Sequence, residues 1–90
     1  MSGPIIAVRR ASTGTVRSGR LRLKAVTVST SGADARLVLK NGSGGSTLFD
    51  MDFAADNADE QIYIPDNGII FESECHCTLT NLTSITCFFG

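Results

Sequence analysis

The sequence predicts an all-β domain, an antiparallel β-sandwich (jelly-roll or Ig-like) of about seven or eight short strands. Three observations carry this. Nine Thr and nine Ser make up a fifth of the 90 residues, beside many Val and Ile, and branching at Cβ suits a pleated strand better than a helix. Short stretches alternate apolar and polar residues, and Gly, Ser, Asn and Asp turn chemistry separates them about every 8–12 residues. Only residues 50–60 have room for a helix, and they lose apolar residues at helical spacing after Phe53.

Residues 1–18 read as an N-terminal arm or first strand, with 4–11 (PIIAVRRA) extended, and residues 19–90 as the sandwich. In 19–30 (GRLRLKAVTVST), Leu21 and Leu23 face one way and Arg20, Arg22 and Lys24 the other. The phase then flips, because Val26 and Val28 fall on even positions. A strict period of two cannot bury both sets, so a bulge or a crossing between sheets is expected near Lys24–Ala25. In 35–40 (ARLVLK), Leu37 and Leu39 point inward. NGSGGS at 41–46 is a turn in which glycines supply positive φ. In 47–53 (TLFDMDF), Phe49, Met51 and Phe53 are expected inward, with Asp50 and Asp52 in solvent. A loop, ADNADE, leads into 61–65 (QIYIP), and Pro65-Asp66-Asn67-Gly68 forms a turn. Residues 69–73, 74–80 and 84–89 complete the strands.

The formal net charge of −1 conceals a polarised chain. All eight Lys and Arg precede position 41, and eight of nine acids follow position 49, so residues 1–45 carry +7 and residues 46–90 carry −8. These charges can cancel within one chain or between neighbouring chains, and both readings stand. The basic half lacks the interleaved aromatics that stack on single-stranded nucleic acid, so nucleic acid is not an expected partner. The longest apolar run, Ile5–Val8, is far too short to span a bilayer. The opening MSGPII lacks the charge-then-apolar pattern of a secretory signal, and three Cys without such a signal suggest reduced thiols.

Chemistry-bearing motifs are sparse. Cys75-His76-Cys77 with Cys87 is the one metal-like cluster, but CxC spacing is too close for paired zinc ligands. In a strand, His76 points away from both cysteines. The thiols therefore read as small buried hydrophobes, and no metal or cofactor is expected. His76 is the sole histidine, and no glycine-flanked serine elbow accompanies it, so no catalytic residue is assigned. Ile69-Ile70-Phe71 and Cys87-Phe88-Phe89 place apolar bulk on both strand faces, and the outward face needs a cover. Ile70 and Phe88, with Arg9, Arg10, Arg20 and Arg22, are the expected assembly residues.

The order LKAVTV, a small Ser/Gly/Ala turn, RLVLKNGSGGSTLFDMDF, an acidic loop, IYIPDNGIIFES and TLTNLTSITCFFG resembles small virion proteins of marine tailed bacteriophages. In those proteins a Gly-rich turn joins two strands, a PxxG turn precedes an I-x-F strand, and an aromatic–Gly tail ends the chain. The resemblance spans roughly residues 19–90 and is one of pattern. It implies a non-enzymatic virion component, assembled in the host cytoplasm, that partners itself and the major capsid or other virion proteins. No small-molecule substrate or membrane enters that expectation. The short turns favour a capsid decoration or cement role; a tail or head–tail junction component, or a tail-associated glycan-binding module, is the alternative.

Overall fold

The computed structural model describes residues 5–31, 33–53, 59–65 and 68–90. They form nine strands and, among the described residues, no helix: β1 (Ile6–Arg10), β2 (Gly14–Ser18), β3 (Leu21–Thr30), β4 (Ala35–Asn41), β5 (Thr47–Phe53), β6 (Asp59–Tyr63), β7 (Ile69–Phe71), β8 (Glu74–Thr80) and β9 (Leu82–Phe89). All pairings are antiparallel. The first sheet has the order β1-β9-β3-β6 with β7 also on β3, and the second has β2-β8-β4-β5. Corresponding places in the two sheets hold chain neighbours, 1 with 2, 9 with 8, 3 with 4, and 6 with 5. The chain crosses between sheets after β1, β2, β3, β5, β7 and β8, which is jelly-roll rather than Ig connectivity.

The expected bulge sits where the apolar phase flips. Leu23 pairs with Phe89, but Ala25 pairs with Phe88, so Lys24 is the extra residue. The slip lets Leu23, Val26 and Val28 all reach full burial.

Several expectations need correction. The strand β2 was not read as such, because GTVRS offers one apolar residue, Val16, which is buried at the sheet edge. Met51 lies opposite Leu37 on the core-facing side but is 41% exposed, since β5 is an edge strand with no further neighbour over it. Asp59 and Glu60, read as loop, open β6; the rest of that loop, and Asp66 and Asn67, lie outside the described residues.

The Pro65–Gly68 turn forms, with Gly68 N donating to Pro65 O at 3.1 Å, yet it does not reverse the chain. Both β6 and β7 run antiparallel to β3, and their registers differ by four residues. β6 and β7 are thus two segments of one interrupted strand, and the nine strands fill eight places of the roll.

Between the sheets, Leu23, Val26, Val28, Leu37, Leu39, Phe71, Ile85, Cys75, Cys77 and Cys87 are fully buried. Each large apolar side chain so buried contributes about 1.5–3 kcal/mol relative to exposure. The turns are tied to one another as well. Ser31 Oγ donates to Asn81 O at 2.8 Å and Asn81 Nδ2 to Asp34 O at 2.8 Å, holding Asn81 at its positive φ of 55°. At the other end Ser73 N donates to Asn41 Oδ1 at 2.8 Å.

Candidate assembly site

Three of the six expected assembly residues converge at one end of the sandwich. Gly19, at φ +96°, turns β2 into β3, and its N donates to Ser73 O at 2.8 Å. Gly90 N donates to Arg22 O at 3.0 Å, which fixes the chain end against β3. A cleft of about 210 Å³ results, lined by Arg20, Leu21, Arg22, Ile70 and Gly90. A second cleft of about 210 Å³ shares Arg20, Leu21, Arg22 and Gly90 and adds Ile6, Arg17 and Phe89. Arg17 was not among the expected site residues. Its signal was the short turn Gly19–Arg20, which folds Arg17 back beside Arg20.

Electrostatically this end is under-compensated. Arg20 Nε lies 3.4 Å from Glu72 Oε2 with both side chains about two-thirds exposed, an arrangement worth little in water. Glu74 accepts a 2.7 Å hydrogen bond from Thr15 Oγ1. Arg17, Arg22 and Lys24 make no ion pair with any described residue.

The outer face of the first sheet is the second part of the site. Cross-strand partners share a face, so the registers place Ala7, Phe88, Ala25 and Tyr63 in one apolar row across β1, β9, β3 and β6. Phe88 is half-buried, lying over Ala25, and Tyr63 is 72% exposed. The next row, Arg9, Thr86, Thr27 and Gln61, is polar. Ile70 pairs with Arg22 on the same outer face. Arg9 and Phe88 therefore stand in adjacent rows of this face, and Arg22, which also lines the clefts, joins the two surfaces.

Arg10 stands apart. It pairs with Ile85 on the core-facing side, its Nε is buried with no hydrogen-bond partner, and its Nη2 would lie 2.9 Å from a Cβ on Gly14. Glycine at that position gives the guanidinium its room.

The second sheet bears the other ion pair. Arg36 Nε donates to Asp50 Oδ1 at 2.8 Å, and Nη2 pairs with Asp50 Oδ2. Those hydrogen bonds hold the Asp50 carboxyl below its ordinary value of 3.8. The pair's contribution is thus present above that pH and fades as acid titrates Asp50. Both ion pairs among the described residues join the basic half of the chain to the acidic half.

The cysteines take the places expected of small hydrophobes. Cys75, Cys77 and Cys87 are free and fully buried. A hydrogen bond with Cys75 and burial raise the Cys87 thiol far above its ordinary pKa, and burial raises Cys77. Such thiols stay protonated and unreactive. With an aromatic disulfide reagent the folded protein is expected to show no rapid thiol reaction, and the denatured protein all three equivalents; fast labelling of the folded chain would contradict this packing. His76 lies on the opposite face, beside Thr15 and Lys40, with Nδ1 buried and unpartnered. Among the described residues no group of three or more His, Cys, Asp or Glu converges on a metal-sized site.

Comparisons with protein-family models, curated protein sequences and solved structures returned no match.

Proposed function

We propose that this chain is a non-enzymatic structural protein of a phage virion, a decoration or cement subunit that binds the capsid surface. The observation that carries the reading is the apolar row Ala7–Phe88–Ala25–Tyr63 crossing the outer face of a sheet whose other face already fills the core. Among the described residues no element covers the ring at the end of that row, which is 72% exposed, and aromatic side chains with Arg at the rim are favoured anchors of protein interfaces. Jelly rolls recur in viral capsid domains, which supports the class without deciding the role. Arg9 and Arg22 flank the row and would set orientation on an acidic surface of the lattice.

Tyr63→Asp is the first test, because an exposed residue can change without unfolding the domain. Binding to tail-less heads stripped of this chain is expected to weaken at least about 30-fold, the equivalent of about 2 kcal/mol for an aromatic anchor, with the melting temperature retained. Phe88→Asp should act in the same direction. Undiminished binding by both variants would refute this face as the contact. The second reading, a tail-associated glycan-binding module, also draws on Tyr63, since exposed aromatic rings stack on sugars. Saturable binding to a glycan array, with no binding to heads, would select it.

A further inference from the structure

We infer that the Arg17–Arg20–Arg22 cleft is a docking site for a second copy of this chain, which enters with the opposite, acidic end of its sandwich. The inference rests on the reading that the protein works by assembly, and it specifies the partner and polarity of one contact.

The jelly roll converts a charge split along the sequence into one between the two ends of the fold. Each sheet takes strands from both halves of the chain, so the halves interleave and neither sheet is wholly basic or acidic. The charges separate instead along the strand direction. The β2–β3 turn and the start of β3 bring Arg17, Arg20, Arg22 and Lys24 to one end, where Glu72 and Glu74 are the described carboxylates. At the other end, where β3 passes into β4 and β5 into β6, stand Asp34, Asp52, Asp59 and Glu60 with the Arg36–Asp50 pair. Asp59 and Glu60 are exposed, as are Arg17 and Arg20.

Shape accompanies charge at both ends. The basic end has its two adjoining clefts, with Leu21, Ile70 and Phe89 among the residues that line them. The acidic end has a broader depression of about 500 Å³ between Asp34, Arg36, Asp52, Phe53 and Thr80. Because the two ends differ, a contact between them is heterologous: one copy's basic end meets the next copy's acidic end, leaving the next basic end free. Such a contact closes into a ring or continues as a row, both of which suit a protein arrayed on a surface. It also leaves the Ala7–Phe88–Ala25–Tyr63 row of the first sheet available for the capsid.

Screening supplies the discriminating variable, since the Debye length shrinks from about 30 Å at 0.01 M salt to about 10 Å at 0.1 M. Sedimentation velocity of the full chain at low and high salt reads self-association directly. The parent is expected to associate at about 20 mM NaCl and to dissociate by about 500 mM, as exposed charge pairs do. R17E/R20E, with two acidic ends, and D59K/E60K, with two basic ends, should each weaken self-association at least about 10-fold, read as a raised dissociation constant, while melting like the parent. Mixed in equal amounts, they should associate with each other, because the swapped charges restore complementarity. A parent that is monomeric at low salt and high concentration would overturn the inference, as would double variants that associate as the parent does or a mixture that fails to associate. Head-binding isotherms of the same proteins separate this contact from the decoration reading. Head binding by double variants that self-associate as the parent does rejects the end-to-end contact alone, whereas self-association without head binding rejects decoration alone.

Discussion

Phe71→Ala is expected to cost about 3–5 kcal/mol of folding stability, the range for deleting a buried phenyl ring. Phe71 is fully buried and is among the largest side chains in the core. It ends β7, a strand of three residues held to the roll by its pairing with Leu21–Leu23. Removing the ring opens a cavity and also strips β7 of its principal inward anchor, so the surroundings cannot collapse without losing the strand. A domain of this size has roughly 5–15 kcal/mol to lose. At about 4–8 °C per kcal/mol, the melting temperature should fall by at least about 12 °C.

The neighbouring residue is the control. Ile70 is half-buried and points to the outer face beside Arg22. Ile70→Ala should therefore cost about 1 kcal/mol, near the centre of the distribution for single substitutions, because it opens no enclosed cavity. Two adjacent apolar residues then separate by several-fold in a single denaturation series. Equal losses would mean that the strand's two faces are not divided between core and surface as the register requires.

The contrast between Phe71 and Ile70 also marks what could be read before the structure. Consecutive apolar residues in a strand must show bulk on both faces, and the odd-numbered Phe71 and Phe89 go inward while Ile70 and Phe88 go outward, as alternation predicted. The flip of phase after Lys24 was legible for the same reason: period two is rigid, so a phase error must become a bulge. Signals failed where no apolar pattern existed. Val16 alone could not announce β2, and a sequence cannot mark β5 as an edge, which is why Met51 is on the core-facing side but poorly covered. The direction of the chain through Pro65–Gly68 was equally silent, since the same turn chemistry serves a reversal and an excursion.

The charge split had the opposite history. Its size was plain in the sequence, but its meaning depends on connectivity. In a fold that placed the first half in one sheet and the second in the other, +7 and −8 would face each other across the core. In this roll each sheet sets strands of the two halves side by side, so paired contacts such as Arg20–Glu72 and Arg36–Asp50 arise locally. The remaining charge is distributed by where turns fall. Arg17, Arg20 and Arg22 gather because a short turn separates two basic strands, and no pairwise pattern in the sequence states which carboxylates stand at the far end.

Gly68→Ala should be the most damaging of the glycine substitutions at positive φ, and Gly19→Ala isolates why. Both glycines are left-handed, at +81° and +96°, so an alanine at either costs about 1–2 kcal/mol in backbone conformation. Around Gly19 a new Cβ would find no atom within 4 Å. At Gly68 it would lie 2.2 Å from the carbonyl oxygen of Leu23 and 3.1 Å from that carbonyl carbon. Those are backbone atoms of the bulged central strand, and no rotamer change can move them aside. Relief requires β7 to withdraw from β3, which adds about 1–3 kcal/mol of the kind forced by overpacking. Gly19→Ala is therefore expected to shift the denaturation midpoint modestly with an unchanged slope. Gly68→Ala should shift it further and remove hydrogen-exchange protection from Ile69–Phe71 and the facing Leu21–Leu23. If the two variants melted together, conformation alone would explain both, and the close approach of the Pro65–Gly68 excursion to β3 would carry no energetic weight.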